Sequence, residues 1–264
     1  TLGRYEEAVA TFNEAVQIGK ESGKNLYALA MTNRAAAYSR LGNFESALAD
    51  FEAAVDLLTT MNYPSLLVEA HLFWGFEYFC PLQQWQQAKS QFEQAQTLID
   101  LQPESYIEER ARLWVGLGQV EAFSGSLTEA KKFLSDAYHL IQERELIWWL
   151  PIVEYFLGVV SQRQGERVEA TSYFRRSLSS AKEGSPDFNA LVYLGLAELE
   201  TNLQKREEFL EKTVMTARSR SRFGDKLVCF DKAGRLLLGS RDGRLKKLGE
   251  ECLAAVNKVG LVTG

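Results

Sequence analysis

The chain has 264 residues and a formal net charge of −5, with 46% hydrophobic and 25% charged residues, the balance of an ordinary globular protein rather than a disordered or fibrous one. Its three cysteines, Cys80, Cys229 and Cys252, are odd in number and far apart, which argues against a disulfide framework and points to a reducing, cytoplasmic setting. No apolar run approaches the roughly 18 residues that would cross a bilayer, and Thr1-Leu2-Gly3-Arg4 does not open a signal peptide.

In chain order, residues 1–23 read as one helix, with Tyr5, Val9, Phe12 and Val16 on its apolar stripe. Residues 24–62 read as a helical pair in which Gly42 ends the first helix and Asn43 caps the second. Further pairs follow over 63–102, 103–145, 146–184 and 185–222. Turn chemistry divides them at Asn62-Tyr63-Pro64, Gln102-Pro103 and Gly184-Ser185-Pro186-Asp187, where each proline suits the first turn of a helix. Glycines at 116 and 118 fall in mid-helix, where each costs about 1 kcal/mol relative to Ala, so close helix packing is the expected compensation. Ser126-Leu127-Thr128-Glu129 has the form of a capping box. In residues 223–264 the pattern fades, and 225–238 with 243–258 read as a last helical pair. The stretches Leu227-Val228-Cys229-Phe230 and Arg235-Leu236-Leu237-Leu238-Gly239 would also suit a β-hairpin, while Cys252-Leu253-Ala254-Ala255-Val256 favours helix.

Aligned on the small residue near the start of each second helix, the chain repeats. Ala8, Ala47, Ala88, Ala130 and Ala170 stand at intervals of 39, 41, 42 and 40 residues. Four residues later come Phe12, Phe51, Phe92, Leu134 and Phe174; three beyond those, Ala15, Ala54, Ala95, Ala137 and Ser177. Five residues ahead lie Gly3, Gly42, Gln83, Gly125 and Gly165, where a glycine can take the left-handed conformation that closes a helix.

A leucine–glycine pair, an aromatic residue, then Ala, Phe and Ala at fixed offsets resembles the tetratricopeptide repeat, over residues 1 to about 214. The unit here is about 40 residues rather than the family's usual 34. In that it is similar to the repeats of bacterial signal-transduction ATPases, of the transcription activator of the maltose regulon and of kinesin light chains. The resemblance implies an all-α fold, a right-handed superhelical solenoid of about six tandem helix-turn-helix repeats in one domain over 1–264. Because the first unit is represented only by its second helix, the chain is expected to be a piece of a longer polypeptide.

Catalysis is not expected. His71 and His139 belong to no metal or triad spacing and are expected to pack on helices, and no phosphate-cradling loop or serine elbow is present, so no cofactor or metal is expected. The resemblance implies instead a protein or peptide partner held in the concave groove lined by first helices, a small polar ligand being a second option and nucleic acid disfavoured. It maps the groove to Arg40, Phe73, Glu77, Arg112, Gln119, Tyr155 and Arg163. Replacing Arg112 and Tyr155 with Ala is expected to weaken binding without loss of stability. An alternative role is the ligand- or partner-sensing domain of a larger signalling ATPase or transcription regulator.

Two secondary surfaces stand out. Trp148-Trp149 cannot both face one core, so one is expected to be exposed. Charge also divides along the chain: residues 1–203 carry 16 Lys+Arg against 27 Asp+Glu, whereas 204–264 carry 14 against 8, which brings Arg218, Arg220 and Arg222 into a basic C-terminal face.

Overall fold

The computed structural model describes residues 2–181, 188–219 and 222–259, and among them the backbone forms thirteen α-helices and no strand. Contacts gather the chain into two compact units, Thr1–Leu146 and Ile147–Gly264. Unit 1 holds α1 (Leu2–Ser22), α2 (Lys24–Leu41), α3 (Phe44–Thr60), α4 (Pro64–Phe73), α5 (Trp85–Leu101), α6 (Ile107–Ser124) and α7 (Leu127–Glu143). Unit 2 holds α8 (Leu150–Arg163), α9 (Arg167–Ser180), α10 (Asn189–Leu199), α11 (Leu203–Ser219), α12 (Phe223–Leu237) and α13 (Gly243–Val259). The hairpin alternative for the last segment is excluded, since α12 and α13 are helices joined by a short turn. The turn at 184–187 and Arg220 lie outside the described residues.

Consecutive helices pack in pairs, α2 on α3, α4 on α5, α6 on α7, then α8 on α9, α10 on α11 and α12 on α13. The fold is an all-α helical repeat. Its packing rule is the small–aromatic–small stripe of the second helices: Ala47, Phe51, Ala54, Ala88, Phe92, Ala95, Ala130, Leu134, Ala137, Ala170, Phe174 and Ser177 are all at most 1% exposed. The rings enter glycine-bottomed seats. A Cβ on Gly75 would lie 2.4 Å from the Phe92 ring and one on Gly116 2.6 Å, so Phe92 is clasped by the first helix of its own pair and that of the next. Gly158 and Gly195 clasp Phe174 in the same way, at 2.7 and 2.6 Å. Mid-helix glycine is thus compensated by the approach it permits.

Helix ends follow local chemistry, with departures from expectation at Gly3, which lies inside α1 rather than closing a helix, at Gln83 and at Gly125. Gly42 and Gly165 take left-handed φ of 86° and 81°, and Gln83 does the same at 56° although it has a side chain. Gly125 does not: its φ is −131°. A Cβ there would fall 1.9 Å from Glu121 Oε2, so glycine is required for that carboxylate to reach past it. The carboxylate accepts the Ser126 N–H at 3.0 Å, which is the bond a capping box would assign to Glu129. Ser126 Oγ still accepts from the Glu129 N–H, at 3.4 Å, so the box is half formed and Glu121 completes it.

One element was not expected. Past α4 the chain continues as a π-helix over Trp74–Phe79, closed by Cys80 N–H donating to Gly75 O at 3.0 Å. Its wider turn brings Trp74, Phe76, Tyr78 and Phe79 together against the unit 1 core.

Candidate recognition surface on the first helices

In unit 1 the first helices are neighbours: α2 touches α4 and the π-helix, and α4 touches α6. The expected groove residues occur here in two joined sets. Arg40, near the end of α2, makes a forked pair with Glu77 of the π-helix, Nη2 to Oε1 at 2.8 Å and Nε to Oε2 at 2.9 Å. The same guanidinium lies 5.7 Å from the Tyr5 ring centre, which ties it to α1 as well. Arg112 of α6 donates to Glu69 Oε2 of α4 at 2.6 Å, and its guanidinium sits 5.3 Å from the ring centre of Phe73. Gln119 is buried, and Phe123 one turn on is 37% exposed and stacks on Trp85 at 5.0 Å.

In unit 2, α10 touches both α8 and α12. Tyr155 of α8 is buried among rings, 4.9 Å from Phe156 and 5.6 Å from Phe188. Burial drives its phenol well above the usual tyrosine range, with Cys229 and Asp225 adding to the shift, so it stays neutral. Arg163, at the end of α8, is exposed. A ladder runs beside it, from Gln162 to Glu198 and Lys232, and the last two were not expected. Gln162 Nε2 donates to Glu198 Oε2 of α10 at 2.8 Å, and Lys232 of α12 lies 3.5 Å from Glu198 Oε1.

These contacts correct one expectation. Arg112 and Tyr155 are only 7% and 6% exposed, so replacing them with Ala would strand Glu69 and open a cavity among rings, and stability would fall. Glu69, Arg34 with its fork to Asp50 at 2.6 and 2.7 Å, and Glu198 were all missed. A signal was present: Arg40 and Glu77 are 37 positions apart and Glu69 and Arg112 43, each close to one repeat, while Lys89 and Glu121, 32 apart, join neighbouring pairs off that interval. Opposite charges at that offset meet on adjacent repeats. The Lys89 ammonium, by its hydrogen bond, is the largest cause holding Glu121 below the usual carboxylate range.

The secondary surfaces divide. Trp148 is 51% exposed and Trp149 half-buried, on the 3-10 turn Ile147–Trp149 rather than an α-helix. Arg218 pairs with Glu251 at 3.1 Å, and Arg222 pairs with Asp225 at 2.7 Å while covering the Phe188 ring at 5.0 Å. His71 is buried with Nδ1 2.8 Å from Gln91 Oε1, whereas His139 is exposed on α7. Burial drives the Cys229 thiol well above its ordinary value, which makes it a poor nucleophile. Among the described residues there is no group of three or more His, Cys, Asp or Glu side chains that could hold a metal, and no helix long and apolar enough to cross a membrane.

Residues 1–60 match the sequence model of the tetratricopeptide repeat. No curated protein matches the chain in sequence at a significant level. Among solved structures, that of BtubC (BKLC) from P. vanneervenii is similar, with a TM-score of 0.60 and 14% identity over 79% of this chain and 89% of that one, a likeness of fold alone. Helix pairs at a period of about 40 residues, second helices seated by Phe51, Phe92, Leu134 and Phe174, and the match over residues 1–60 make this a tetratricopeptide-like helical-repeat protein.

Proposed function

We propose that the protein is a non-catalytic scaffold that binds a protein or peptide segment along its first-helix faces. Tetratricopeptide repeats generally mediate protein–protein contact, and that supports the broad class. The observation that carries the finer reading is the row formed by α2, α4 and α6, whose polar groups are joined helix to helix while Phe73 and Phe123 remain partly exposed beside them. Ion pairs that are already formed keep long side chains in place. A ligand meeting such a face loses little affinity to ordering it. Rings at its edge offer rigid apolar area.

Selection of a random-peptide display library against the chain is the test. Peptides that bind the unit 1 face are expected to compete with one another, and Phe123→Ala is expected to weaken them about tenfold, at a modest cost in melting temperature from the lost Trp85 stack. Arg163→Glu tests the first-helix face of unit 2 by itself, on the peptides that Phe123→Ala leaves unaffected. Peptides that bind both variants as tightly as the parent, but lose affinity on Arg218→Glu, would move the site to the C-terminal face.

A further inference from the structure

The outward face of α9 differs from that of the other second helices in the acidic body of the chain. On α3 the exposed charges are Glu45, Glu52 and Asp56. On α9 they are Arg167, Arg175 and Arg176, lining a shallow open depression of about 550 Å³ together with Val168, Thr171 and Ser172. We propose that this depression docks a short acidic segment of a partner polypeptide. It lies on the second-helix side, so it stands or falls apart from the first-helix reading above.

The donor chemistry selects an anion. Thr171 Oγ1 gives its proton to Arg167 O at 2.8 Å and Ser179 Oγ gives its own to Arg175 O at 3.0 Å, so the charged donors of the strip are its guanidinium groups, with the exposed Ser172 hydroxyl among them. Two of them are held in position. Arg176 Nε donates to Glu154 Oε1 at 3.0 Å, a carboxylate on the buried side of α8, and Arg167 Nη2 donates to the carbonyl of Leu199. Val168, 86% exposed between them, supplies apolar surface. Arg167 and Arg175 are eight residues apart, about 12 Å along a helix, which an extended peptide at roughly 3.3 Å per residue spans with two carboxylates four positions apart. A long polyanion such as a nucleic acid would also meet the body of the chain, where 27 acidic residues outnumber 16 basic ones, so a short acidic segment fits better.

The test is fluorescence polarisation of the intact chain with a labelled peptide containing Glu-Ala-Val-Ala-Glu, alongside its Lys-Ala-Val-Ala-Lys counterpart. Binding of the acidic peptide, weakened by added salt and at least about tenfold by Arg167→Glu with Arg175→Glu, is the expected result. The double variant is expected to bind the lysine peptide instead, a swap that an unfolded chain could not produce. Arg175→Glu alone, which leaves the Leu199 contact intact, is expected to weaken the acidic peptide as well. No binding of the acidic peptide, or binding indifferent to these reversals, overturns the proposal. So does capture of phosphatidylserine vesicles or single-stranded DNA without capture of the peptide.

Discussion

At the level of single residues, helix closure separates what a side chain prefers from what the turn demands. Gln83 occupies the place that glycine holds at 42 and 165, and it takes the same left-handed conformation, with Gln84 N–H donating back to Phe79 O at 3.0 Å. That conformation costs an L-residue about 1–2 kcal/mol, and glycine escapes most of it. Gln83→Gly is therefore expected to stabilise the chain by about 1 kcal/mol, read as a higher urea midpoint at unchanged slope. A lower midpoint would mean that the Gln83 side chain contributes more than its backbone strain removes. The missing glycine was visible in the sequence. The role of Gly125 was not, because it depends on where Glu121 sends its carboxylate, and Lys89 of α5 helps to decide that.

Among elements, the seat of Phe92 shows how pairs are joined. A mid-helix glycine replaced by alanine normally gains about 1 kcal/mol in helix propensity. At Gly116 the added methyl would begin 2.6 Å from Phe92 Cζ, and that ring is held from the other side by Gly75. Gly116→Ala is expected to destabilise by about 1–3 kcal/mol in urea unfolding, since overpacking outweighs propensity. A neutral or stabilising result would show that Phe92 can shift. The glycines announced close packing, yet which ring they received was a matter of docking. The π-helix had no sequence signal at all, because Trp-Gly-Phe-Glu-Tyr-Phe is apolar at almost every position and suits one period as well as another.

Across the molecule, the same stripe is filled to different degrees. Phe51 is fully buried between helices, whereas Phe12, its counterpart in α1, is only partly covered, as are Ala8 and Ala15. Phe51→Ala is expected to cost about 3–5 kcal/mol and Phe12→Ala less than half as much, compared by thermal or urea unfolding of the two variants. Equal costs would contradict the difference in burial. The sequence by itself determined the all-α repeat, because caps, helical periodicity and the small–aromatic–small stripe act over a few residues and recur about every 40. Only the tertiary structure decided which charges meet. Arg40 with Glu77, Glu69 with Arg112 and Gln162 with Glu198 lie 36 to 43 positions apart, and their distances are set by how one pair of helices rests on the next. That is why arginines expected to reach outward for a ligand are found bracing the helices beside them.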